Sequence, residues 1–152
     1  MSEVRRILIH VSTIALLGEH VLLVQESKPE NHGKWNLPGG HLEVGESLVS
    51  GAKREFFEET LVEADLTGLV GIYSGIGRTG YHAIRFVFAA TVRTPELARA
   101  GDEILAARWW DITEEKSLPD KDLVSPDTIR QIINDASQKA PTPLNLLTEN
   151  FS

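Results

Sequence analysis

A chain of 152 residues, 41% hydrophobic and 24% charged, has the size and composition of one packed domain, so disorder is not the expected state. Its formal charge of −7 argues against a general binder of phosphate backbones, a role that needs a basic surface. Polymeric nucleic acid is therefore not an expected partner, and a small anionic substrate requires a metal ion or a local cluster of Lys and Arg. Cysteine is absent, so thiolate metal sites, disulfides and cysteine nucleophiles are excluded together.

The opening "RRILIHVSTIALLG" superficially offers the charged and apolar regions of a secretion signal. His10 and the pair Ser12-Thr13 interrupt it, and no small-residue cleavage pattern follows. A β-strand over 6–17 fits better, joined through Gly18-Glu19 to a second over 20–25. No stretch reaches the roughly 18 apolar residues of a membrane span, so a cytoplasmic protein without membrane contact is expected. Residues 27–46, "SKPENHGKWNLPGGHLEVGE", form a long loop, and long loops in compact domains are usually functional. Ser47 is a good N-cap for a helix running to about Leu61.

Strand character returns over 66–93, and a further strand is expected from about Ile104 to Trp110. "SPDTIRQIINDA" predicts a helix with Ser125 or Asp127 at its cap, Pro126 in its first turn and Ile129, Ile132 and Ile133 on its apolar face. From Gln138 onward two prolines suggest a flexible tail, about 139–152, of a single domain spanning 1–152. Several strands and two widely separated helices suggest an α/β or α+β sandwich with a mixed sheet, rather than a regular βαβ array. "GIGRTG", Gly75 to Gly80, matches a dinucleotide-binding fingerprint, but strand-forming residues follow it where a helix is required. A hairpin turn accounts for its glycines.

The helix over 47–61 carries the chemistry. Leu48, Val49, Ala52 and Phe56 share one apolar stripe, and Glu55, Glu58 and Glu59 lie together beside it. Glu55 and Glu59 are like charges four residues apart, close to a helix C-terminus that disfavours anions. A solvated face carrying i,i+4 charge pairs is one reading, and an oxygen-preferring divalent cation that offsets those penalties is the other.

Upstream, Gly40 and Glu46 complete the spacing G-x5-E-x7-R-E-φ-x-E-E with Arg54, Glu55, Phe56, Glu58 and Glu59. This resembles the Nudix box, and Trp35, Pro38-Gly39-Gly40 and Ala52 agree with it. The box normally continues x-G-φ, whereas Thr60-Leu61-Val62 stands here. Leucine adopts positive φ only at a cost, so the helix is expected to run on or to leave by a different turn. The resemblance implies an α/β/α sandwich that hydrolyses nucleoside diphosphates linked to another group, using Mg²⁺ or Mn²⁺. It implies Glu55, Glu58 and Glu59 as metal ligands, the Gly39 carbonyl as a further one, Arg54 orienting the glutamates and Glu46 supporting the loop. The implied mechanism has metal-bound water attack phosphorus, with Glu55 as first candidate for general base and Glu103 as second. Segments such as "HAIRFVF", "DEILAARWW" and "LVSPDTIR" look like NudJ-type phosphatases, which favours a small nucleotide or related diphosphate. Trp35, Gly40, Arg78, Tyr81, His82 and Arg85 are candidate substrate contacts. An ADP-ribose or nucleotide-sugar pyrophosphatase and a non-catalytic nucleotide sensor are the alternatives. A monomer and a homodimer both remain open.

Overall fold

The computed structural model describes residues 6–77, 80–114 and 117–150. β1 (Ile7–Leu17) and β2 (His20–Glu26) form a hairpin whose turn is made by Gly18 at φ +59°, a left-handed conformation natural to glycine. β3 (Trp35–Asn36) pairs with β2, and β4 (Gly39–His41) with β1, both antiparallel. β5 (Ala64–Ile76) and β6 (His82–Val92) form a long antiparallel pair, and β6 lies parallel to β1. β7 (Ile104–Asp111) runs antiparallel along β2. The order is β3-β2-β1-β6-β5, with β4 attached to β1 and β7 to β2. The sheet is mixed, as the dispersed strands suggested.

Two helices, α1 (Leu48–Thr60) and α2 (Pro126–Gln138), cover its faces. Successive residues of a strand point to opposite sides, and the core divides on that rule. Ala52 and Phe56 of α1 belong with Val11, Ala15, Leu22 and Phe88. Ile129 and Ile132 of α2 belong with Ile14, Leu23 and Val87, the alternate residues of the same strands. The result is an α/β/α sandwich. Among the described residues no helix is long and apolar enough to cross a membrane.

α1 begins as its sequence predicts. Ser47 is extended, at φ −71° and ψ 155°, and its hydroxyl accepts the Ser50 N–H at 3.0 Å. Its end differs from expectation. Leu61 itself takes the left-handed conformation, φ 56° and ψ 20°, and its N–H reaches the Phe57 carbonyl at 2.9 Å. The loop before β7 holds that end, because Arg99 N–H donates to Thr60 O at 2.9 Å and Gly101 N–H to Glu59 O at 3.1 Å. A Cβ at Gly101 would overlap the Glu58 carbonyl, so only glycine permits that approach. Tertiary contacts thus impose on leucine the turn that a glycine would make unaided.

α2 starts at Ser125 without a side-chain cap bond, and Ser125 is also left-handed, at φ 45°. The described residues of the "GIGRTG" segment link β5 to β6. Gly77 N–H donates to Tyr81 O and Gly80 N–H to Gly77 O, each at 3.0 Å, and β6 follows instead of a helix. Residues 139–150 lie against the body. Thr142 exchanges backbone hydrogen bonds with Leu69 at 2.7 and 2.8 Å, and Leu144 and Leu147 pack on the core around Val11, Ala52, Leu69 and Phe88. Those leucines supply the burial that offsets ordering the chain.

Candidate active site

Arg54 organises the polar side of α1. Its Nε and Nη2 grip both oxygens of Glu46 at 2.6 and 3.0 Å, a bidentate pairing, and its Nη1 donates to Glu55 at 3.0 Å and Glu58 at 3.2 Å. Nη2 also reaches the His41 carbonyl at 3.4 Å. Glu46 in turn accepts the Glu43 N–H at 3.1 Å, which fastens the preceding loop to the helix. The hydrogen bond from Arg54 holds the Glu46 carboxyl below its usual range, and the same bond holds the guanidinium firmly protonated.

Glu59 sits apart from this fork. Its carboxylate accepts the Gly39 N–H at 2.7 Å. Burial, opposed by that bond and reinforced by the neighbouring Glu26 and Glu55, pushes its pKa up to about 8. Burial likewise raises Glu55 and Glu26. These are desolvated carboxylates facing one another, an arrangement that favours either a proton or a cation among them. The backbone comes in close. A Cβ at Gly40 would lie 2.6 Å from the Glu55 carboxylate, and one at Gly39 would strike Val11 and Ser12 of β1.

The carboxylates form one wall of an open cleft of about 1590 Å³. Glu26, Glu55, Glu58 and Glu59 stand on that wall, with exposed Glu103 on the rim just before β7. His10, Lys28, His41, Tyr81 and Arg85 provide a basic and aromatic counterpart. The His10 ring stacks on Tyr81, with centroids 6.1 Å apart and planes 6° apart, and meets His41 edge-on at 4.4 Å. Its buried Nε2 has no hydrogen-bond partner among the described residues. Burial, then the charges of His41, Arg85 and Lys28, pushes its pKa down to about 4. Arg85 is the register partner of His10 on β6. It makes no ion pair and no side-chain hydrogen bond among the described residues.

The structure therefore brings Gly39, Gly40, Arg54, Glu55, Glu58, Glu59, Tyr81, Arg85 and Glu103 to one cleft, with Glu46 behind Arg54. It does not bring Trp35 there. Strand alternation turns Asn36 toward the cleft and Trp35 away from it, where its ring meets Trp110 edge-on at 5.1 Å. His82 does not line the cleft; it bonds Ser74, which does, at 2.6 Å. Arg85 is half-buried. Arg78 lies outside the described residues. Sequence reasoning missed His10, Glu26 and Lys28 as cleft residues. Polar His10 and Ser12 at alternate positions of an apolar strand were the signal for the first.

The donor set is all oxygen: carboxylates plus a nearby glycine carbonyl, the chemistry that suits Mg²⁺ or Mn²⁺ over softer metals. Among the described residues no three acidic or histidine side chains are already gathered around an ion-sized point. Arg54 engages Glu55 and Glu58, and Gly39 engages Glu59. A cation would have to draw these carboxylates from those partners.

A NUDIX domain model matches residues 7–132. Over 110 residues the chain is 36% identical to 8-oxo-dGDP phosphatase NUDT18 of Danio rerio, covering 70% of this chain and 33% of that protein. The chain thus spans about a third of that relative's length. Phosphatase NudJ of Escherichia coli is 31% identical over 119 residues, covering 77% of this chain and 76% of NudJ. A NUDIX hydrolase from Nitrosomonas europaea superposes with a TM-score of 0.83 at 29% identity, over 95% of this chain and 98% of that one. With the box residues converging on one cleft and the domain match covering most of its length, the chain belongs to the Nudix hydrolase family.

Proposed function

We propose that the protein is a Mg²⁺-dependent hydrolase that cleaves a diphosphate linkage in a small nucleotide or related pyrophosphate. The observation that carries this reading is the set of desolvated carboxylates, Glu55 and Glu59, pressed against the Gly39-Gly40 backbone at the floor of the cleft. Glu55, Glu58, Glu59 and the Gly39 carbonyl would hold the ion, and Mn²⁺ suits the same donors. When bound, the ion supplies neutralisation of phosphate charge and a water of lowered pKa.

The protein's own groups do the remainder. Arg54 limits where Glu55 and Glu58 can swing, so they reach the ion from a restricted set of positions. Glu55 is the first candidate to accept the proton of the attacking water, because burial raises its basicity. Exposed Glu103, on the rim, is the second. Arg85 and Lys28 place fixed positive charge opposite the carboxylates and offset the substrate's phosphates. Tyr81 and the His10 ring supply a flat surface for a base. The names of the relatives, an 8-oxo-dGDP phosphatase and a phosphatase, support a nucleoside di- or triphosphate as the first class to try.

A phosphate-release screen tests this, covering nucleoside di- and triphosphates, nucleotide sugars and thiamine phosphates, each with Mg²⁺ and with EDTA. Release from at least one diphosphate, abolished by EDTA, is the expected result. No turnover of any diphosphate with Mg²⁺ or Mn²⁺ would sink the hydrolase reading in favour of a nucleotide sensor.

A further inference from the structure

The first turn of α1 makes a contact that hydrolysis does not use. This helix carries no acidic residue in its first turn, and the Ser47 hydroxyl satisfies only the Ser50 N–H. The amides of Leu48 and Val49 instead donate to the two oxygens of Glu149, at 2.6 and 3.4 Å, across 101 and 100 residues of sequence. A helix cannot satisfy its own first N–H groups, and its dipole makes that end positive. A carboxylate there forms charge-assisted bonds.

The carboxylate arrives on a strap of defined path. Thr142 pairs with Leu69, Pro141 and Thr142 lie so close over Gly68 that a Cβ there would come within 2.6 Å of the Thr142 carbonyl, and Leu144 and Leu147 pack beside Ala52. The turn it holds is the foundation of the Arg54 fork. Gly51 N–H donates to Ser47 O at 2.9 Å, and a Cβ at Gly51 would lie 2.8 Å from the Glu46 carboxylate. Glu46 is thus packed against the same turn that Glu149 caps.

We propose that Glu149 is a positioning residue: a helix cap delivered by the C-terminal strap that fixes the first turn of α1. Through Glu46 and Arg54 it sets the orientation of Glu55 and Glu58. Its consequence for metal binding rests on the hydrolase reading above; its effect on the turn and on Arg54 does not.

The test uses the full chain with Glu149→Ala and Glu149→Gln. In Glu149→Ala, amide exchange at Leu48 and Val49 should quicken about five- to tenfold, the Arg54 Nε–H resonance should broaden, and Mn²⁺ affinity should fall severalfold well below the melting temperature. Glu149→Gln should lie between, and it carries the same readouts should the alanine variant not fold. Unchanged exchange at Leu48 and Val49 would overturn the proposal. So would a lowered melting temperature with an unaltered Arg54 resonance, because the strap would then only stabilise. If the wild type binds no Mn²⁺, the hydrolase reading fails, and the exchange and Arg54 signals still decide the role of Glu149.

Discussion

Replacing Leu61 by alanine and by glycine gives a result whose sign depends on the geometry of the α1 exit. At φ 56° and ψ 20°, a residue with a Cβ costs about 1–2 kcal/mol more than glycine. Leu61 is half-buried, so truncating it forfeits roughly half of a leucine's full burial, about 1 kcal/mol. Alanine loses those contacts and keeps the strain, and should be about 1 kcal/mol less stable than wild type. Glycine loses the same contacts and sheds the strain, but gains about 0.4–1 kcal/mol of unfolded-chain entropy. It should fall within about 1 kcal/mol of wild type and stand about 0.5–1 kcal/mol above alanine. In a right-handed helical position the order is reversed, alanine leading by about 1 kcal/mol. Equilibrium urea unfolding of the metal-free proteins reads the difference directly. Alanine more stable than glycine would refute a left-handed Leu61 and the tertiary capping that explains it.

Gly101→Ala drives a Cβ into the Glu58 carbonyl; overpacking against backbone should cost about 2–3 kcal/mol and lower the melting temperature by about 4–10 °C. An unchanged melting temperature would remove the close approach. Arg54→Lys keeps the charge but loses the bidentate grip on Glu46, so metal-dependent turnover should drop about tenfold or more with the circular dichroism spectrum retained. Activity within about twofold of wild type would show that the fork does not position the glutamates. His10, held neutral with a pKa of about 4 against an ordinary 6.5, binds fewer protons folded than unfolded between those values. Its contribution is therefore complete above pH 6.5 and is lost as pH falls toward 4. Allowing for its partial exposure, wild type should lose about 1 kcal/mol more stability between about pH 7 and 5 than His10→Leu does. Equal losses in urea unfolding at the two pH values would contradict the burial of a neutral imidazole.

The features legible in the sequence were those governed by local periodicity. The apolar stripe of Leu48, Val49, Ala52 and Phe56, the Ser47 cap and the grouped glutamates all follow from 3.6-residue geometry. The hairpin at Gly75 to Gly80 was equally readable, because the strand residues after it leave no helix to bind a phosphate. What escaped was decided by contacts between distant segments. Leu61 turns left-handed because Arg99 and Gly101 hold the carbonyls beside it. Glu149 caps a helix 100 residues away, and nothing in its own neighbourhood announces that. The direction of Trp35 escaped because a strand of two residues has too little pattern to reveal its inward side. Arg85 joins the cleft through the parallel register of β6 with β1, which no local signal specifies.

The glutamates of α1 are proposed to form a divalent-cation site. Titrating Mn²⁺ into wild type and Glu58→Gln, with free ion followed by electron paramagnetic resonance, tests it most directly. Glu58 is the most exposed of these glutamates, its side chain 56% accessible against 16% for Glu55, so the change removes a ligand charge without disturbing the core. Saturable binding by wild type, weakened about tenfold or more in Glu58→Gln with the fold intact, is the predicted outcome. Indistinguishable titrations would place the ion elsewhere and contradict the site.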